Sequence, residues 1–182
     1  LSRRQLLEAL AVVGIAPGLW LSGNRAARAT QADQWRTPVN PFTLGVASGY
    51  PTAQSVVLWT MLAPDPLALD SGMPALDVPV RWEMATDRRF RRIVAKGSAR
   101  AEASYSHSAR VEVAGLRPAR DYWYRFIAGG QRSATGRTRT LPQEGSATSR
   151  LSVAVANCQH FEHGHYAAYR HMAAATPDLV LH

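Results

Sequence analysis

Seven short runs rich in strand-forming residues, several of them alternating between apolar and polar, lie between residues 42 and 140 and are separated by turn residues. Alternate residues of a strand lie on the same face, so this period predicts strands that bury one face. About seven short strands with turns between them predict a β-sandwich over residues 40–142. The runs are Phe42–Ser48, Ser55–Thr60, Val80–Ala85, Ile93–Lys96, Ser108–Val113, Asp121–Phe126 and Arg137–Thr140.

Tryptophans occupy positions on these predicted strands that a sandwich would bury. Trp59, Trp82 and Trp123 are therefore expected in the core, with Val80, Trp82 and Met84 on one face. An aromatic platform for sugars is the alternative, although nothing marks which rings would be exposed. A proline-rich loop is predicted over Ala63–Pro79.

The spacing Leu116-x-Pro118-x-x-x-Tyr122-x-Tyr124 resembles the signature of fibronectin type III domains. In that fold a tyrosine near the start of a late strand forms a hydrogen bond back to the preceding turn. The resemblance places the predicted sandwich in the fibronectin III or immunoglobulin-like group.

The pattern changes after the polar segment 143–149, which is predicted to be an interdomain linker. Residues 150–182 predict a buried strand over Leu151–Ala156, a helix over His165–Ala175 and a second buried strand over Asp178–His182. This order is the first βαβ unit of an α/β domain. Because two strands and a helix cannot bury both faces of a sheet, we expect the chain to be a fragment.

Cys158 is the only cysteine, and it lies at the carboxyl tip of the first of these strands. Open α/β sheets bind ligands and metals in the crevice at that end, so its thiol is a candidate metal ligand. A small buried apolar residue is the structural alternative. Gln159 and His160 follow directly and are expected near the site. His160, His163, His165 and His171 form a histidine-rich run, which could bind a transition metal or line the mouth of the site.

The first 29 residues predict a twin-arginine signal peptide. Arg3 and Arg4 precede an apolar stretch over 9–21, and Ala27 and Ala29 supply small residues for cleavage. The stretch is too short to span a bilayer, which takes roughly 20 apolar residues, so no permanent membrane span is expected. An amphipathic first helix is the alternative. The prediction is export to the periplasm or the extracellular space through the twin-arginine translocation machinery.

The formal net charge is +8, and Lys96 is the only lysine in an arginine-rich chain. The arginines are spread along the sequence rather than concentrated in one stripe, so we expect no nucleic-acid binding. A distributed positive charge would instead help to attract anionic substrates such as phosphate esters.

Several segments together resemble the start of the PhoD family of alkaline phosphatases and phosphodiesterases. They are Phe42–Gly49, Ser55–Thr60, Leu62–Pro64, Val155–Gln159, Tyr166–His171 and Pro177–His182. The order and spacing of the segments cover essentially the whole chain. Tyr50 and Met61 depart from the family pattern, where Asp and Arg are usual. The resemblance implies a β-sandwich followed by a calcineurin-like metallophosphatase domain, truncated here.

The resemblance also implies a role for Cys158, since the cysteine after the first strand of that domain ligates a ferric ion in the family. Calcium, held by oxygen ligands, is the second implied cofactor. The other ligands are expected after His182, beginning with a Gly-Asp-Tyr-type segment, so residues 1–182 contain no catalytic residue. The expected function is an exported phosphate ester hydrolase, with this fragment inactive alone. Monoesters, diesters and phospholipids are not distinguished as substrates, and a noncatalytic secreted β-sandwich binding module is the alternative.

Overall fold

The computed structural model describes residues 34–147, 149–160 and 165–182. The predicted signal residues Arg3, Arg4, Ala27 and Ala29 lie outside the described residues, and so does His163. Within the described ranges, no helix is long and apolar enough to cross a membrane.

Two antiparallel sheets form the larger part of the fold. The first contains β1 (Val46–Gly49), β2 (Val56–Met61) and β5 (Ser108–Val113), in the order β1-β2-β5. The second contains β3 (Val78–Ala85), β4 (Ile93–Ala101), β6 (Asp121–Ala128), β7 (Gln131–Arg132) and β8 (Gly136–Arg139). Its order is β4-β3-β6-β7, and β8 also pairs with β6. The predicted β-sandwich is confirmed.

The core lies between the two sheets, where alternate residues of each strand point inward. On β2, Val56 and Leu58 are fully buried, and Thr60 donates a hydrogen bond to the carbonyl of Gly45 at 2.9 Å. On β6, Tyr124 and Phe126 meet edge to face, with ring centroids 6.2 Å apart. Such pairs stabilise a core by about 1 kcal/mol beyond their buried area.

The tryptophans differ from the prediction, because none of Trp59, Trp82 and Trp123 is fully buried. Trp82 shares its face with Val80 and Met84, as predicted, but packs at the margin of the core. Trp59 and Trp123 lie on the outer faces of their sheets, since their strand neighbours on either side are the buried residues. The expectation that all three belong to the core is therefore wrong.

The tyrosine of the fibronectin-like signature makes the predicted hydrogen bond. The hydroxyl group of Tyr122, on β6, accepts a hydrogen bond from the backbone N–H of Arg117 at 2.8 Å. Leu116 is buried beneath the same turn. This bond closes the loop between β5 and β6 against the end of the sandwich.

The C-terminal part is a parallel βαβ unit, as predicted. It contains β9 (Val153–Val155), α1 (Ala167–Ala175) and β10 (Leu179–Leu181), with β9 and β10 hydrogen-bonded in parallel. Parallel strands need a crossover connection, which the segment containing α1 provides. The predicted burial is wrong, however, since Val153, Val155 and Val180 are 43%, 69% and 46% exposed. No third strand or second helix covers them in the part of the chain described.

Several predicted boundaries shift because pairing partners, not local pattern, decide where a strand begins. The first strand covers 46–49 instead of 42–48, and Phe42 packs into the core from the preceding loop. β4 continues to Ala101 because β3 pairs with it along its whole length. β3 begins inside the predicted loop, and Pro79 is tolerated there because β6 pairs only from Arg81 onward.

Candidate functional site

The carboxyl ends of β9 and β10 form the edge where the sequence predicts a site. The register pairs Leu181 with Val155, and the N–H of Ala156 donates to the carbonyl of Leu181 at 2.9 Å. The chain leaves β9 through Asn157 and Cys158 at this edge, and His182 follows β10 at the same edge. Ligand sites of open parallel sheets lie at this end of the strands.

Cys158 lies just beyond β9 with its side chain exposed to solvent. Its backbone φ is +52°, in the left-handed region that non-glycine residues seldom adopt. The chain therefore turns sharply at the thiol, and an exposed thiol at such a turn is accessible to a metal ion or substrate. The alternative prediction, a buried apolar cysteine, is wrong.

His182 is held by the helix of the βαβ unit. Its Nε2 lies 3.0 Å from the hydroxyl oxygen of Tyr169 on α1, and the two rings stack with centroids 6.3 Å apart. The imidazole is exposed and lies beyond β10, so the expectation that it packs within the strand is wrong. The ring of Tyr166, the residue before α1, also packs against that of Tyr169, with centroids 5.9 Å apart. No local sequence pattern predicts the contact with His182.

The other predicted site residues that the structure describes occupy separate positions along the chain. Gln159 and His160 continue the exposed segment after Cys158, while His165 lies before α1 and His171 lies on its exposed surface. Among the described residues, no three His, Cys, Asp or Glu side chains are grouped closely enough to hold a metal ion. Cys158 fits the role of one thiolate ligand at an accessible edge, but its described neighbours do not complete a coordination sphere.

β10 and the residues just before it face the β-sandwich. Asp178, just before β10, lies 3.9 Å from Arg139 of β8, and its other oxygen accepts the N–H of Ser152 at 3.0 Å. A groove of about 430 Å³ separates the two parts and is lined by residues 48–51, 137–139 and 177–181. Asp178 thus links both strands of the βαβ unit to the sandwich.

Comparison with known proteins places this architecture in a family. Residues 26–142 match the family model described as PhoD-like phosphatase, N-terminal domain. Alkaline phosphatase D of Bacillus subtilis (strain 168) is 54% identical over 142 residues, which is 78% of this chain and 24% of the relative. The chain thus spans about a quarter of that relative's length.

A solved structure of PhoD has the same fold. The two superpose with a TM-score of 0.77 at 52% sequence identity, over 80% of this chain and 28% of that one. Since the family model matches well over half of the chain, this protein belongs to the family of PhoD-like phosphatases, whose N-terminal domain forms its β-sandwich.

Proposed function

We propose that the chain is the N-terminal part of an exported, metal-dependent hydrolase of phosphate esters. The observation that carries the proposal is the 54% identity to an alkaline phosphatase D, extending over most of the chain. Identity at this level preserves fold and, in most cases, the class of reaction. The exposed thiol at the carboxyl edge of a βαβ unit supports the same class, since that edge is where such sheets bind ligands.

Cys158 is proposed as the first protein ligand of a ferric ion, with calcium held by oxygen ligands from residues beyond His182. Metal ions bound at such an edge supply Lewis acidity toward phosphate oxygens. The chain's own contribution is positional, because the parallel register fixes where the thiol lies relative to the end of β10. The stacking of His182 on Tyr169 fixes the backbone at the point where β10 ends.

The proposal assigns no catalytic residue to residues 1–182, so this chain by itself should hydrolyse no phosphate ester. It leaves the choice among monoesters, diesters and phospholipids to residues beyond this chain. The competing function, a noncatalytic binding module, requires only the sandwich. It gives no reason for a parallel βαβ unit that presents a thiol at its carboxyl edge.

The deciding experiment uses the gene product with everything encoded after the His182 codon. Hydrolysis of p-nitrophenyl phosphate and of its diester analogue is measured together with iron content per chain, for the parent and for Cys158→Ala. We expect the substitution to lower both iron content and hydrolysis by at least about tenfold, since even indirect partners of metal sites have effects of that size. Arg100→Gln, exposed on β4 of the sandwich, serves as the control and should retain both.

Two results would contradict the proposal. One is full iron content and activity in Cys158→Ala. The other is hydrolysis by the 182-residue chain above the level of its own Cys158→Ala variant.

Export is tested separately with a reporter protein fused after residue 29. Arg3 and Arg4 together should direct the reporter across the membrane in a host with the twin-arginine machinery. Replacing both by lysine should leave the reporter inside the cell. Equal export of the two fusions, or export in a host without that machinery, would contradict this route.

A further inference from the structure

A small cleft with arginine side chains opens at one end of the β-sandwich. It lies between the loop that joins β3 to β4 and the loop that joins β5 to β6. Its volume is about 150 Å³, and its charged lining residues are Arg92, Arg117 and Arg120. No carboxylate is among the described residues that line it, so the cleft is positively charged.

The three guanidinium groups have no partner among the described residues. Neither ion pair found in the described ranges involves them, and no side-chain hydrogen bond from Arg92, Arg117 or Arg120 is present there. Other arginines of the sandwich do pair, as Arg125 does with Glu83. Three guanidinium groups held close together repel one another when no negative charge lies between them. A bound anion would offset this repulsion.

Two carboxylates are close to these arginines in the sequence, and neither of them lines the cleft. Asp87 accepts hydrogen bonds from the backbone N–H groups of Arg92, Arg89 and Arg91 at 2.9, 3.0 and 3.2 Å. These bonds, that of Arg92 first, hold the pKa of Asp87 below its usual value. Asp121 follows Arg120 but lies on β6 opposite Arg139, and it does not line the cleft.

The backbone that carries the arginines is fixed by hydrogen bonds. The N–H of Arg117 donates to the hydroxyl of Tyr122 at 2.8 Å, and the hydroxyl of Thr140 donates to the carbonyl of Arg117 at 2.7 Å. The N–H of Arg120 donates to the same threonine hydroxyl at 3.1 Å. Binding an anion here therefore orders side chains alone, which lowers the entropic cost.

We propose that this cleft binds one tetrahedral oxyanion, phosphate, between the guanidinium groups of Arg92, Arg117 and Arg120. Guanidinium groups match phosphate oxygens with paired N–H donors. At about 150 Å³, the cleft has room for one phosphate ion. The phosphate is either the free ion or the terminal group of an ester.

This site is independent of the proposed hydrolase function. None of its lining residues belongs to the βαβ unit that carries Cys158. A chain that hydrolyses nothing would still bind phosphate here, and loss of the cleft would leave the carboxyl edge of β9 and β10 intact. The two proposals can therefore fail separately.

The test is a titration of the ¹⁵N-labelled 182-residue chain with inorganic phosphate, followed by the arginine Nε–H signals in NMR spectra. Single substitutions Arg92→Gln, Arg117→Gln and Arg120→Gln assign the signals, and sodium chloride at matched ionic strength controls for screening. Arg100→Gln is the matched control, since Arg100 is exposed on β4 and does not line the cleft.

The expected result is saturable shifts at the three cleft arginines and none at Arg100. Each single substitution should weaken phosphate binding by about threefold to tenfold. The triple variant should not bind phosphate, and Arg100→Gln should bind it as the parent does.

A parallel titration with phenyl phosphate identifies the source of the phosphate group. Binding of both compounds means that the cleft accepts an ester phosphate, and binding of inorganic phosphate alone means that it selects the free ion. Equal, unsaturable shifts at all arginines, or unchanged affinity in the triple variant, would overturn the proposal.

Discussion

The hydroxyl of Tyr122 and the backbone N–H of Arg117 form a 2.8 Å hydrogen bond across the loop between β5 and β6. Tyr122→Phe keeps the ring in the core and removes only the acceptor. We expect the free energy of unfolding in urea to fall by about 1–2 kcal/mol, the usual cost of an unsatisfied, partly buried donor. Tyr105→Phe, at a tyrosine that is 70% exposed, is the control and should be neutral. A loss for Tyr122→Phe no larger than for this control would mean that water replaces the hydroxyl.

A second prediction concerns Gly136, which lies opposite Tyr124 in the pairing of β8 with β6. A Cβ added at Gly136 would lie 2.6 Å from Cε1 and 2.7 Å from Oη of Tyr124, whose ring is fully buried and cannot move aside. Gly136→Ala should therefore lower the free energy of unfolding by about 1–3 kcal/mol.

The matched control for that substitution is Gly49→Ala. Gly49 also lies on a strand, and an added Cβ there meets no atom within 4 Å. The Gly49→Ala variant should unfold at the same urea concentration as the parent or at a slightly higher one. Equal midpoints for the two variants would show that the sheet can shift to accommodate the methyl group.

The third prediction compares two ion pairs by double-mutant cycles in alanine. Arg125 and Glu83 face each other across β6 and β3, with Nη2 and Oε2 2.6 Å apart and side chains only 18% and 24% exposed. The guanidinium also lies 3.9 Å from the centroid of the Phe90 ring. We expect a coupling energy of about 1 kcal/mol for this pair.

The comparison pair is Arg139 and Asp178. Nη1 of Arg139 lies 3.9 Å from Oδ1 of Asp178, and the side chains are 46% and 35% exposed. Its coupling energy should be no more than about 0.3 kcal/mol and should vanish at high salt. The same coupling for both pairs would mean that distance and burial do not set their strength.

The fourth prediction concerns alkaline pH. Burial raises the pKa of Tyr124 to about 12 from an ordinary value of 10.0, and a hydrogen bond with the Ser48 side chain opposes the shift. The native state holds its proton longer than the unfolded state, so stability is complete below pH 10 and is lost between pH 10 and 12. Urea unfolding at each pH measures the free energy of unfolding. Between pH 9 and pH 11 this free energy should fall by about 1 kcal/mol more in the parent than in Tyr124→Phe. Parallel pH profiles for the two proteins would contradict the shift.

Much of the fold follows from the sequence, and the errors have specific causes. The run Ser55–Thr60 predicts a strand but not which of its faces is inward, because Val57 and Trp59 are as apolar as Val56 and Leu58. The outward position of Trp59 is decided by the sheet packed on the other side.

The site was partly predictable for a similar reason. The position of Cys158 follows from a local pattern, a strand and then a turn, and the structure places it there. The cleft arginines come from separate loops, and only the pairing of distant strands brings Arg92 close to Arg117. No local pattern contains that information.

The ion pair between Asp178 and Arg139 has a consequence for which substitutions affect the junction of the sandwich with the βαβ unit. The ion pair that joins the sandwich to the strand pair lies at the amino-terminal end of β10, while Cys158, after the carboxyl end of β9, is exposed. Substitutions in the groove-lining residues 48–51 and 137–139 should therefore alter how firmly the two parts are joined. Natural variation in those residues can therefore adjust how strongly the two parts hold together at a given temperature or salt concentration.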